Sequence, residues 1–265
     1  MSAAPLYDIS DFALRNFTFD GVTKPVLCLG GEGPAVIVIH EISGFTPSLA
    51  RLCRWIRDAG FRVYAPVLVG KTDGSEVEKV RFSRILSLCV SREFTLFAQN
   101  RSSPVVNWLK PLARCLFKEC GGRGVGVIGM CLSGGFALNM AVDPSVIAPV
   151  LSQPSLPSGK PAGIDASPSD ITRIKSRIAA DGLKIRAWRF EGDTLCRQAR
   201  FDTLSALLGE GFIPVVLSDS AGSPTGMKAQ GKPPHAVFTG DLIDAPGEPT
   251  RAAVDELIGF YKERL

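Results

Sequence analysis

Apolar positions along this chain fall alternately into short continuous runs and helical spacings. Ala35-Val-Ile-Val-Ile39 is an unbroken, largely β-branched run, as expected of a strand buried on both faces of a mostly parallel sheet. Leu49, Leu52, Cys53 and Ile56 then recur at the spacing of one helix face, and Gly60 supplies a stop. Phe61-Arg-Val-Tyr-Ala65 predicts the next strand, ended by Pro66. Upstream, residues 17–29 predict two short strands around a turn at Asp20-Gly21. Downstream the pattern predicts helix from about 77 to 120, with Pro104 opening its second half. Strand 124–128, helix 134–141, strand 146–151, helix 171–180 and strand 184–190 follow. A helix over about 197–208, a strand over 212–217 and a last helix marked by Val254, Leu257, Ile258 and Tyr261 complete the chain. Such alternation predicts an α/β fold, a mostly parallel central sheet with helices on both faces. Two stretches rich in Pro, Ser and Gly, 153–168 and 220–234, interrupt it, and loops of that length tend to carry function. No repeat or linker divides residues 1–265, so one domain is expected.

Composition narrows the partners. With 45% hydrophobic and 21% charged residues, the chain lies outside the disordered class. Its net charge of +4 is spread along the sequence, which argues against nucleic-acid binding. No apolar run approaches the roughly 18 residues that cross a bilayer, and the first residues lack the basic and apolar regions of a secretory signal. Seven cysteines at 28, 53, 89, 115, 120, 131 and 196, with no Cys-x-x-Cys and only two histidines, support neither a disulfide framework nor a metal site. Reduced thiols in a cytoplasmic protein are the expectation.

Candidate chemistry concentrates in Val127-Ile-Gly-Met-Cys-Leu-Ser-Gly-Gly-Phe136. A buried strand ending at Gly129, followed by a glycine pair that opens a helix, is the strand–turn–helix setting of a nucleophile elbow, G-x-Nu-x-G, with Cys131 as nucleophile. The helix start just beyond favours a thiolate. Read blandly, Cys131 is a buried cysteine in a glycine-rich turn. Of the two histidines, His40 ends the first parallel strand and His235 lies between the last strand and the last helix, so both sit where reactive groups collect. The hydrolase order of nucleophile, acid, histidine selects His235 as base. Glu191-Gly-Asp193 closes the strand before, offering Asp193 as the acid with Glu191 as rival; an aspartate there is also an ordinary cap. The loop His40-Glu-Ile-Ser-Gly44 is where such enzymes place one oxyanion-hole amide, making the N–H groups of Ile42 and Leu132 the candidates.

Gly129-Met-Cys-Leu-Ser-Gly-Gly135, Glu41-Ile-Ser-Gly44, Gly192-Asp193 and His235, taken together and in this order, resemble the dienelactone hydrolase family, a Cys-His-Asp branch of the α/β hydrolases. The resemblance runs from about residue 33 to the last helix and implies the α/β-hydrolase fold. It implies Cys131 as nucleophile, His235 as base, Asp193 as its orienting acid, and Glu41 as the glutamate that contacts the resting thiol. Two departures stand out. Ser133 replaces the usual elbow glycine, and Ala236-Val-Phe-Thr239 follows His235 where the dienelactone enzymes carry an arginine for the substrate carboxylate. The expected activity is therefore hydrolysis of a small-molecule carboxylic ester or lactone, with no metal or organic cofactor, by a monomer or weak homo-oligomer. A thioesterase or acyltransferase on the same site, and a catalytically weak binding protein of this fold, are the rivals.

Overall fold

The computed structural model describes residues 7–76, 103–155 and 161–265. The first part of the helix expected over 77–120 lies outside the described residues, as does Cys89.

Eight strands form one sheet: β1 (Ala13–Phe19), β2 (Val22–Leu29), β3 (Ala35–Ile39), β4 (Arg62–Pro66), β5 (Val125–Met130), β6 (Val146–Ser152), β7 (Ile185–Phe190) and β8 (Phe212–Leu217), in spatial order β1-β2-β4-β3-β5-β6-β7-β8. β1 and β2 pair antiparallel, β2 joins β4 antiparallel, and every pairing from β4 to β8 is parallel. Among the described residues the α-helices are α1 (Pro47–Asp58), α2 (Val106–Cys120), α3 (Gly134–Met140), α4 (Pro168–Asp181), α5 (Gln198–Leu208) and α6 (Pro249–Arg264). This is the α/β-hydrolase architecture.

The pleat sorts alternate side chains to opposite faces. Ala35, Ile37 and Ile39 of β3 meet a layer built by α2, α3, α4 and α5, whereas Val36 and Val38 meet the layer built by α1 and α6. All five residues of β3 are fully buried, so the run has no polar positions because it has no wet face. The expected hairpin turn follows from its two residues: Asp20 (φ 49°) and Gly21 (φ 75°) are both left-handed, as a two-residue turn matched to strand twist requires. Thr46 caps α1 by accepting from the Leu49 amide, Pro47 opens the helix, and Gly60 turns the chain away at φ 105°.

Strand limits differ from the sequence expectation where pairing outweighs pattern. β1 starts at Ala13 rather than Phe17, because the exposed edge residues Leu14, Arg15 and Asn16 carry no alternation yet pair in register with β2. β5 continues through Gly129 to Met130, since Gly129 pairs with Ile39 and Met130 with Ser152. Among the described residues no helix is long and apolar enough to cross a membrane.

The connections place the site. From β3 the chain turns outward to β4, and from β5 onward it advances the other way across the sheet, so β3 and β5 flank the point where strand order reverses. In open α/β sheets the crevice at the carboxyl ends of such a pair is the natural ligand position. Glu41 follows β3 there and Cys131 follows β5.

Candidate active site

Cys131 stands directly after β5 in a single 3₁₀ turn (Cys131–Ser133) that leads into α3. Its φ of 55° is left-handed, a conformation costly for a residue with a Cβ, and one that clusters at reactive sites. The small neighbours are steric requirements. A Cβ on Gly129 would lie 2.0 Å from the Ser133 carbonyl oxygen, and one on Gly135 would lie 1.5 Å from a carboxylate oxygen of Asp165.

Ser133, the departure from the glycine pattern, has a definite task. Its Oγ accepts the Met130 amide at 2.8 Å and faces the carbonyls of Ile39 at 2.9 Å and Met130 at 3.0 Å. The hydroxyl thus ties the elbow to the end of β3, the strand that carries Glu41. The Cys131 carbonyl accepts the Ser155 amide at 2.9 Å, fixing the turn from the β6 side.

His235 Nδ1–H donates to Asp193 Oδ2 at 2.7 Å, with both side chains almost wholly buried. Asp193 also fills the ordinary capping role: its Oδ1 accepts the amides of Leu195 at 2.8 Å and Cys196 at 3.0 Å. Cap and acid are therefore two oxygens of one carboxylate. The rival Glu191 is exposed and turns away, its Oε1 accepting from Ser218 Oγ at 3.0 Å and the Asp219 amide at 3.2 Å. Gly192 is glycine for want of space rather than for a left-handed turn, since a Cβ would come within 2.1 Å of the Asp219 carboxylate.

Burial pulls the His235 pKa down, but the neighbouring Cys131 sulfur and the Asp193 carboxylate outweigh it and hold the imidazole well above the usual histidine value. The Cys131 sulfur is thus a direct neighbour of the His235 ring, whose Nε2 is buried. Burial pushes the thiols of Cys53 and Cys196 far up and that of Cys28 to about 12, which makes all three poor nucleophiles at neutral pH.

His40 is buried and already occupied. Its Nε2 accepts the amides of Leu68 at 2.9 Å and Val69 at 3.3 Å, so Nδ1 carries the proton and donates to the Glu41 carbonyl at 2.6 Å. That ring joins the loops after β3 and β4 and has no lone pair left for proton transfer.

The Glu41 Oε1 accepts from Gln153 Nε2 at 2.8 Å and Thr239 Oγ1 at 2.7 Å. Gln153 is fully buried at a left-handed φ of 32°, and its Oε1 accepts the Val237 amide at 3.4 Å and the Ser152 hydroxyl. In the sequence Gln153 opens a Pro-, Ser- and Gly-rich stretch and Thr239 stands among the residues after His235, and neither position signals this role. Ile42 and Leu132 both line a small cavity of about 10 Å³, bounded also by His40, Glu41, Leu68, Val69, Ser133 and Phe136. The loop after His235 is anchored by buried Val237 and by Phe238, whose ring meets Trp188 of β7 edge to face at 5.3 Å.

The fold is that of an α/β hydrolase. Residues 24–182 match the model of the dienelactone hydrolase family, and the chain belongs to that family. No curated protein sequence matches the chain. Among solved structures it is similar to a Klebsiella pneumoniae protein named as a dienelactone hydrolase, with 18% identity, TM-score 0.66, and 95% of this chain and 98% of that one covered. It is also similar to a dienelactone hydrolase-like promiscuous phosphotriesterase from metagenomic libraries, with 16% identity, TM-score 0.65, and 96% and 98% covered. A dienelactone hydrolase from Anabaena variabilis aligns at 14% identity and TM-score 0.59 over 96% and 98%. At these identities the likeness is one of fold.

Proposed function

We propose that this protein hydrolyses carboxylic esters or lactones through a covalent intermediate on Cys131. The observation that carries the reading is the buried 2.7 Å contact between Asp193 and His235, on an imidazole whose other nitrogen faces a cysteine held at φ 55°. In this reading Cys131 passes its thiol proton to His235, the thiolate attacks the carbonyl carbon, and the amides of Ile42 and Leu132 stabilise the oxyanion. His235 gives its proton to the leaving alkoxide as the acyl thioester forms. It then takes a proton from the water that attacks the thioester and passes it to the departing sulfur, which releases the acid and returns the thiol. Asp193 keeps Nδ1 protonated throughout.

The test is turnover of a panel of aryl esters by purified protein. Hydrolysis by the wild type and none by Cys131→Ala supports the reading. Transfer of the acyl group chiefly to a non-water acceptor points instead to an acyltransferase, and binding without turnover to a catalytically weak relative.

Glu41 belongs to the same reading as a restraint on the resting thiol. A carboxylate close to a cysteine disfavours the thiolate and so slows its oxidation. Glu41→Gln keeps the shape and an oxygen to accept from Gln153 and Thr239, so the fold survives. The expected result is a lower Cys131 thiol pKa and faster inactivation by peroxide, read by thiolate absorbance and residual activity. Coincident titration curves for the two proteins contradict the restraint and leave the nucleophile untouched.

A further inference from the structure

The base has a second carboxylate attached to it, not through its ring but through its backbone. Asp241, six residues after His235, is 1% exposed. Its Oδ2 accepts the amide hydrogens of His235 at 2.8 Å and Ala236 at 2.9 Å, and its Oδ1 accepts that of Met227 at 2.7 Å. The main chain closes the same knot: the Asp241 amide donates to the Ala236 carbonyl at 3.1 Å, and the Ser223 amide donates to the Asp241 carbonyl at 2.8 Å. Gly226 packs so closely that a Cβ there would lie 2.0 Å from Oδ1.

Burying a carboxylate is costly unless donors saturate it, and here three backbone amides converge on one side chain. Two of them belong to the base and the residue after it. The third lies in the Pro- and Gly-rich segment before it, whose regular structure is two short 3₁₀ turns (Asp219–Ala221 and Met227–Gln230). A carboxylate that merely closed the turn after His235 would need only the Oδ2 contacts. The Oδ1 contact to Met227 ties that turn to a separate stretch of chain. Asp193 and Asp241 thus divide the work, one orienting the imidazole ring and the other fixing the peptide that carries it.

We propose that Asp241 is the positioning residue of the base, pinning the main chain at His235 so that Nε2 is presented to the Cys131 sulfur. The proposal rests on His235 being the base. Its energetic logic is geometric, since a misplacement of about 1 Å at a reacting group costs on the order of a hundredfold in rate.

The experiment compares wild type, Asp241→Asn and Asp241→Ala as full chains, by aryl ester kinetics, thermal melting and NMR titration of the imidazole C–H resonances. The chain has only two histidines, so His235→Ala assigns the signals. An asparagine oxygen can still accept from His235 and Ala236 while its NH₂ opposes the Met227 amide, so this variant keeps the fold where alanine loses all three contacts. The expected result is kcat lowered about tenfold in Asp241→Asn and about a hundredfold in Asp241→Ala, with KM little changed. In both, the His235 titration moves down, because the ring loses its alignment with the two groups that raise it. An unchanged His235 titration in folded Asp241→Asn overturns the proposal, whatever happens to Tm. A wild type that turns over no ester refutes the proposed hydrolysis, and the titration still decides the role of Asp241.

Discussion

His235→Ala is expected to lower kcat/KM for an aryl ester by about a thousandfold to ten-thousandfold, while His40→Ala lowers it far less. The two rings sit on the same side of the sheet, and their hydrogen bonds separate them. His235 Nδ1 is held by Asp193 and its Nε2 is left for the thiol. His40 uses Nε2 to accept two backbone amides and Nδ1 to hold the Glu41 carbonyl. Removing His40 leaves two half-buried amides without their acceptor, a stability cost of at most about 1–3 kcal/mol for each that finds no replacement. Its loss therefore shows first in Tm and only secondarily in rate. Steady-state kinetics and melting curves on both variants check this. Equal losses of kcat/KM in two well-folded variants mean that the base has been misassigned.

Asp193→Asn is expected to cost about a thousandfold to ten-thousandfold in kcat with little change in melting temperature. An asparagine can keep its oxygen toward the amides of Leu195 and Cys196, so the loop after β7 still forms. Its NH₂ then faces His235 Nδ1 and forces the proton onto Nε2, where it blocks the transfer from the thiol. The charge effect has a definite sign. Burial lowers the imidazole pKa and Asp193 is one of the groups that raise it, so neutralising Asp193 moves the His235 titration downward. A pH–rate profile and an NMR titration read the same shift by two routes. A variant with wild-type kcat shows that Asp193 only caps its loop.

Features written into local backbone demands were legible in the sequence. The two left-handed residues of the hairpin needed Asp20-Gly21, the elbow needed small residues at 129 and 135, and a doubly covered strand needed the apolar run of β3. The family membership followed from the same strings, because the elbow is a local motif with a steric cause. Residues whose role is a contact across the fold left no such mark. Asp241 reads as one more aspartate in a loop, and its three amide partners lie between five and fourteen positions away. Gln153 and Thr239 meet at Glu41 from 112 and 198 positions away, a meeting set by the order of strands rather than by any spacing. Ser133 appeared as a departure from pattern because its hydroxyl serves β3, ninety-four residues upstream at Ile39. The exposed edge strand β1 was shortened for the complementary reason, since pairing with β2 and not burial defines its first residues.

Trapping the acyl-enzyme tests the central claim most directly. Purified protein is mixed with an activated aryl ester, quenched in acid within the first turnovers, digested and mapped by mass spectrometry. The expected result is the acyl mass on the peptide containing Cys131, absent from Cys131→Ala and accumulating in His235→Ala only slowly. Acyl mass confined to another cysteine, or ester turnover that persists in Cys131→Ala, contradicts the assignment of Cys131 as the nucleophile.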